Sequence, residues 1–155
     1  MKNKTVTDSQ VIISHVALPE DANPSGMVHG GVIMKLIDNA AGVVAMRHTR
    51  RNAVTASIDR LDFHNPVFVG NLVIIKASIN MVCKTSMEIG VRVEAEDLMT
   101  GEVSRTASAY LTFVALGKNH RPVEVPPVIF ESDSQKRRNR EASKRRAQRI
   151  SEKNS

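Results

Sequence analysis

The stretch from His29 to His48 leaves this chain few choices. It reads His-Gly-Gly-Val-Ile-Met-Lys-Leu-Ile-Asp-Asn-Ala-Ala-Gly-Val-Val-Ala-Met-Arg-His: a glycine pair, a long apolar run holding one carboxylate, and two cations at its end. On a 3.6-residue period Val32, Leu36 and Val43 fall on one side, Ile33, Ile37 and Val44 on the next, and Met34, Ala41 and Ala45 beyond. Lys35, Asn39 and Gly42 leave only a narrow polar or small strip, so the segment is predicted to be a central helix wrapped by a sheet rather than by water. Asp38 lies at the margin of the apolar surface. A carboxylate there needs an explanation, because burying its charge without partners is expensive.

The rest of the chain reads as the wrapping. Val11-Ile12-Ile13 and Val16 predict a strand within Thr7 to Leu18, ended by Pro19, and the turn formers of Pro19 to Gly26 lead as a loop into the helix. After the helix come four β-type segments, Ala53 to Phe63, Asn71 to Cys83, Ser86 to Leu98 and Glu102 to Leu116, with breaks at Asn65-Pro66, Gly70-Asn71, Lys84-Thr85 and Met99-Thr100-Gly101. Short breaks between consecutive strands imply antiparallel hairpins, and one helix among five strands implies an α+β fold with the helix laid on the sheet. The domain is bounded at residues 7–117, followed by a Pro-containing linker at 118–130 and a basic tail at 131–155, disordered or weakly helical and outside the core.

With 155 residues, 41% of them apolar, the chain has room for one domain. No apolar run approaches the roughly 20 residues that cross a bilayer, and polar residues follow Met1, so neither an integral membrane segment nor a secretory leader is expected. The lone Cys83 rules out an intrachain disulfide and any cysteine-built zinc site, which fits a cytoplasmic protein. The net charge of +6 belongs mainly to the tail, where residues 131–155 carry nine Lys or Arg against four Asp or Glu; the other 130 residues are nearly neutral. A basic total therefore says little about the surface of the domain.

The run Asp21-Ala22-Asn23-Pro24-Ser25-Gly26-Met27-Val28-His29-Gly30-Gly31, then Met34-Lys35-Leu36-Ile37-Asp38, Ala41-Gly42 and Arg47-His48, resembles hotdog-fold acyl-CoA thioesterases of the brain-type cytosolic acyl-CoA hydrolase group and their bacterial relatives. The resemblance continues through Val54 to Asp59, Phe63-His64, Val69-Gly70 and Lys84 to Ile89, and spans about Val11 to Leu116. It implies the hotdog fold, a curved antiparallel sheet wrapped round one long helix. It also implies two hotdogs paired side by side, hence at least a homodimer for a chain with one unit, with a trimer of dimers as the larger assembly.

Thioester hydrolysis needs donors for a developing oxyanion, a group that activates water or attacks directly, and a hold on the acyl-CoA. Gly30 and Gly31 open the helix, so their N–H groups lack intrahelical acceptors and sit at the positive end of the dipole. Asp38, the only acidic residue of the helix, is the candidate base or nucleophile. Seven residues from Gly31, it is roughly 10 Å away along the axis, too far for both to serve one carbonyl, and a composite site at a dimer interface follows. In the scheme implied by the resemblance Asn23 and Asp38 act together across two hotdog units, Asn23 holding the water or polarising the thioester.

The positions matching Thr55, Lys84, Thr85 and Ser86 lie near substrate or coenzyme A in such enzymes, although Lys84-Thr85-Ser86 is also an ordinary hairpin turn. No paired metal spacing, phosphate-binding glycine loop or serine nucleophile elbow is present, so no metal and no cofactor are expected beyond the coenzyme A of substrate and product. A second reading is a non-catalytic acyl-CoA-binding module whose tail contacts nucleic acid or membrane. No DNA-reading motif accompanies the cations, so nucleic acid is not an expected partner.

Overall fold

The computed structural model describes residues 2–154. The helix predicted from the apolar run is α2, Gly30–Thr49, and it lies on a five-stranded antiparallel sheet in the order β2-β4-β5-β6-β3. The strands are β2 (Val11–Val16), β3 (Asn52–Phe63), β4 (Leu72–Val82), β5 (Ser86–Glu96) and β6 (Val103–Leu116), each inside or close to its predicted segment. Alternation decides which face is covered. In β5, Met87, Ile89, Val91, Val93 and Ala95 are buried against the helix side, with Gly90, Arg92 and Glu94 on the other face. From α2, Ile37, Ala40, Ala41, Val44 and Ala45 are fully closed into this core, against Val73, Ile75, Ile89, Val93 and Leu111 of the sheet.

The helix is less completely wrapped than its composition suggests. The sheet takes one side, Val32, Leu36 and Val43 are half-buried, and Met34 and Met46 stay 39% and 44% exposed. Its C-terminal end also differs from the two cations read there in the sequence. His48 is buried and its Nε2 donates to the Pro126 carbonyl at 2.7 Å, while Lys4 reaches over to place its ammonium 2.7 Å from the His48 carbonyl, supplying the cation that the last turn favours. Burial holds the His48 imidazole below the ordinary histidine range, opposed by the bond to Pro126 and aided by the charge of Lys4. As pH falls through about 6.5 the unfolded chain takes up a proton that folded His48 refuses, so stability should decline from there towards its folded pKa. Thermal midpoints measured across this range should show the decline, and His48→Gln, which keeps a donor for Pro126, should flatten it.

Both chain ends are tied to the domain more closely than the sequence reading allows. Residues 4–9, ahead of the predicted strand, form a short strand, β1 (Lys4–Thr5), and one helical turn, α1 (Val6–Ser9). β1 pairs in parallel with β7 (Val128–Ile129), inside the segment read as a linker. That segment is further pinned by the bonds Val123 N to Ala115 O and Val125 N to Lys84 O, both 2.9 Å, and Val125 is buried.

The tail, expected to be disordered or weakly helical and outside the core, is a helix docked on the domain. It forms α3, Asp133–Lys153, capped by Ser132, whose Oγ accepts from Gln135 N at 3.1 Å, and it crosses the sheet face opposite α2. Ala142 is fully buried there, and Asn139 donates to the Asn80 carbonyl at 3.1 Å. Arg145 grips the buried Glu88 of β5 with Nε on Oε1 at 2.9 Å and Nη2 on Oε2 at 2.8 Å. Its guanidinium also sits 3.6 Å over the Tyr110 ring. Asn80 completes the carboxylate from below at 3.0 Å, so close to the backbone of β5 that a Cβ on Gly90 would come within 2.7 Å of its amide nitrogen. A second ion pair joins Arg149 to Asp59 of β3. The helix docks by charge, which is why a count of its apolar residues misses it.

Candidate active site

α2 starts at the glycine pair. His29 is its N-cap but makes no side-chain capping bond; its backbone carbonyl takes the N–H groups of Val32 at 3.0 Å and Ile33 at 3.3 Å. Among the described residues the Gly30 and Gly31 N–H groups have no acceptor, which leaves two exposed donors at the positive end of a 20-residue helix. A Cβ on Gly31 would meet nothing within 4 Å, whereas one on Gly30 would touch the Phe63 ring at 3.4 Å. Gly31→Ala should therefore leave folding intact. If a substrate carbonyl must approach this turn, the added methyl displaces it, and a misplacement of about 1 Å can cost about 10²-fold in rate. Turnover and the thermal midpoint of the same sample check both halves.

The loop before the helix fixes Asn23. Its Oδ1 accepts from Ser25 N at 3.0 Å, Ser25 Oγ at 2.7 Å and Met27 N at 3.2 Å, and its own N–H donates to Met27 O at 2.8 Å. With the oxygen so committed, the amide nitrogen is the half left over, and it can only donate. Next to it Asp21 braces the loop, accepting from Leu18 N at 2.9 Å and His15 Nε2 at 2.8 Å. The Leu18 bond first, then the His15 bond, hold its carboxyl below the usual carboxylate range.

Asp38 is half-buried on α2 and meets no cation within 4 Å among the described residues. Its partner is Thr55, whose Oγ1 donates to Oδ1 at 2.6 Å. Thr55 stands at a β-bulge, where the register of β3 against β6 shifts between Thr55 and Ser57. Such a bulge re-aims a side chain. The structure thus places Thr55 on the carboxylate itself, a positioning contact that the motif match did not reveal.

Lys84, Thr85 and Ser86 form the β4–β5 turn. Ser86 is in register with Val114 and Val114 with Val54, so the turn lies at the Thr55 end of the sheet, two strand spacings or roughly 10 Å from β3. The Lys84 and Thr85 carbonyls are taken by Val125 and Ala115.

At the other end of α2, Val28, Gly30, Ile33, Phe63, Val67 and Thr106 line a largely apolar pocket of about 340 Å³. Phe63 enters the sequence reading only as the end of a strand and as part of the resemblance, and its place against Gly30 comes from the fold; Ile37, Ala41 and Ala45 of α2 are packed shut in the core and do not reach this pocket. One chain therefore keeps two groups apart, Asp38 with Thr55 and the Gly30–Gly31 turn with the pocket; the Asn23 loop is tied to the helix start by the bond from His29 N to the Asp21 carbonyl at 3.0 Å. Among the described residues no group of three or more His, Cys, Asp or Glu could hold a metal ion, and no helix is long and apolar enough to cross a membrane.

The sequence pattern of the thioesterase superfamily matches residues 25–102. The chain is 39% identical over 136 residues to the cytosolic acyl coenzyme A thioester hydrolase of Rattus norvegicus, covering 86% of this chain and 36% of that protein. It is 40% identical over 128 residues to the acyl-CoA thioester hydrolase YkhA of Bacillus subtilis, covering 83% and 74%. This chain thus spans about a third of the length of the rat protein. Among solved structures, an apo-hexameric acyl-CoA thioesterase superposes with TM-score 0.94 at 34% identity, covering 98% of this chain and 97% of that one. The acyl-CoA hydrolase of Staphylococcus aureus, solved with butyryl coenzyme A and coenzyme A, gives TM-score 0.88 at 32% identity, covering 99% and 96%; variants of it replace an aspartate, an asparagine or a threonine by alanine. With its pattern, its relatives and its fold in agreement, the chain belongs to the thioesterase superfamily.

Proposed function

We propose that the protein hydrolyses fatty acyl-CoA to free fatty acid and coenzyme A, at a site completed by a second copy of the chain. The observation that carries this reading is Asp38, a half-buried carboxylate that meets no cation among the described residues, oriented by Thr55 beside an open sheet edge. β3 is that edge. It is twelve residues long, with Val54 and Phe63 exposed at 43% and 53%, and such an edge invites pairing with another chain. It also runs alongside α2, with Thr55 at Asp38 and Phe63 at Gly30. Two copies joined antiparallel along β3 about a two-fold near Asp59 set Thr55 of each opposite Phe63 of the other. Asp38 of one copy then faces the Gly30–Gly31 turn of its partner.

In the composite site the free N–H groups of Gly30 and Gly31 take the thioester oxygen as negative charge develops on it. The Asn23 amide nitrogen donates to the same carbonyl or to the attacking water. Asp38 accepts the water proton as the oxygen adds to the carbonyl carbon, and the proton passes to the thiolate as the C–S bond breaks. The pocket beside Gly30 takes the first part of the acyl chain, and the Lys84–Ser86 turn lies where it can contact the coenzyme. The spacing supports these roles: the asparagine, aspartate and threonine replaced in the S. aureus enzyme are 15 and 17 residues apart, as are Asn23, Asp38 and Thr55. A homodimer is the minimal assembly, a trimer of dimers is supported by the hexameric relative, and the rat relative's name supports the cytoplasm.

Thiol release from a panel of short to long acyl-CoAs tests the reading. Release by wild type that is lost in Asp38→Asn is expected; no release from any chain length contradicts it.

A further inference from the structure

The docking of α3 creates a cleft of about 480 Å³ against the outer face of the sheet, opposite α2 and separated by the sheet from Asp38. We propose that this cleft binds a small diphosphate-bearing anion.

Its charge is the first argument. Lys76, Arg92 and Arg105 come from three adjacent strands and Arg137, Arg138 and Arg145 from α3, six cations on one cleft. Three carboxylates answer them. Glu94 serves both Lys76 at 2.7 Å and Arg92 at 3.6 Å, Glu141 stands 3.9 Å from Arg137, and Glu88 is held by Arg145. Lys76 and its neighbours hold the Glu94 carboxyl below the usual carboxylate range, so it remains charged. Among the described residues Arg105 and Arg138 have no carboxylate within 4 Å.

Register is the second argument. Lys76 lies directly opposite Arg92 on the outer face, and Arg92 opposite Ser108. Like charges directly opposite in an antiparallel pair are destabilising, and one shared glutamate offsets this only in part. An anion over the row would offset it fully. The neighbouring row is Ser78, Gly90 and Tyr110, in which the glycine lowers the floor between two hydroxyl-bearing side chains. Guanidinium groups from α3 over the sheet and from Arg92 and Arg105 beside the hydroxyls match the planar, multidentate recognition of phosphate oxygens. The volume is that of a small-molecule site.

The probes are inorganic pyrophosphate and ADP, titrated calorimetrically into the full chain at low salt, with sulfate as the charge control. Saturable binding is expected, at least tenfold tighter than sulfate and weakened by salt. Tighter binding of ADP than of pyrophosphate assigns a nucleotide as the source of the diphosphate, and equal binding assigns the free anion. The double variant Arg105→Ala/Arg138→Ala removes the two unpaired cations without stranding a carboxylate, and should weaken binding tenfold or more with its thermal midpoint unchanged. Lys118→Ala/Arg121→Ala, exposed cations outside the cleft, should bind as wild type. Absence of saturable binding by either probe, or equal affinity in the cleft variant and wild type, overturns the proposal.

Discussion

Asp38→Asn should lower acyl-CoA turnover by about 10²- to 10⁴-fold, the usual worth of a positioned base, while leaving the fold in place. The substitution is isosteric, and an asparagine oxygen still accepts the Thr55 hydroxyl that reaches Asp38 at 2.6 Å. A purely structural aspartate would be expected to have a cation or several N–H donors. Among the described residues Asp38 has one hydroxyl, in the middle of a helix where the backbone donors are already used. Thr55→Val separates positioning from chemistry: it keeps the carboxylate and removes its guide, so turnover should fall less than in Asp38→Asn and with KM little changed. Unaltered turnover in Asp38→Asn would remove this residue from the mechanism.

Arg145→Ala should undo the docking of α3. Glu88 is 1% exposed and depends on two bonds from Arg145, with Asn80 supplying a third. Breaking a buried pair by deleting one partner costs about 3–5 kcal/mol. The chain can escape part of this by releasing α3 and letting water reach Glu88, so the loss should show first as faster hydrogen exchange and proteolysis in residues 133–153, with the α2 core still protected. Replacing both members by apolar residues, Glu88→Leu with Arg145→Met, should recover most of the stability, since such swaps are often near neutral. Continued protection of α3 in Arg145→Ala would show that Ala142, Asn139 and Arg149 hold the helix without this pair.

The two cases mark what the sequence makes legible. The central helix could be read because its signal is local: a glycine pair marks its start and twenty residues of apolar period mark its body. The strands could be read from alternation and short breaks. The same alternation puts Glu88 on the sheet face away from α2, and nothing within the sequence near it says that Arg145, 57 residues on, will cover it. His48 was misread for a related reason, since the carbonyl that receives it comes from Pro126 and the cation that replaces it from Lys4. The site divides in the same way. Asn23, Gly30, Gly31 and Asp38 stand in one contiguous motif, whereas Phe63 is brought to Gly30 by strand β3, and the role of Thr55 depends on a bulge whose register no local pattern encodes.

The central claim is that Asn23 and Asp38 of different chains form one site, and mixing two inactive variants tests it. Co-expressed Asn23→Ala and Asp38→Asn chains form mixed dimers in which one interface site has both residues intact and the other has neither. With random pairing and two-fold symmetry, about a quarter of wild-type acyl-CoA turnover should return. If each site were built within a single chain, no pairing could restore it, and turnover at the level of the separate variants would contradict the account.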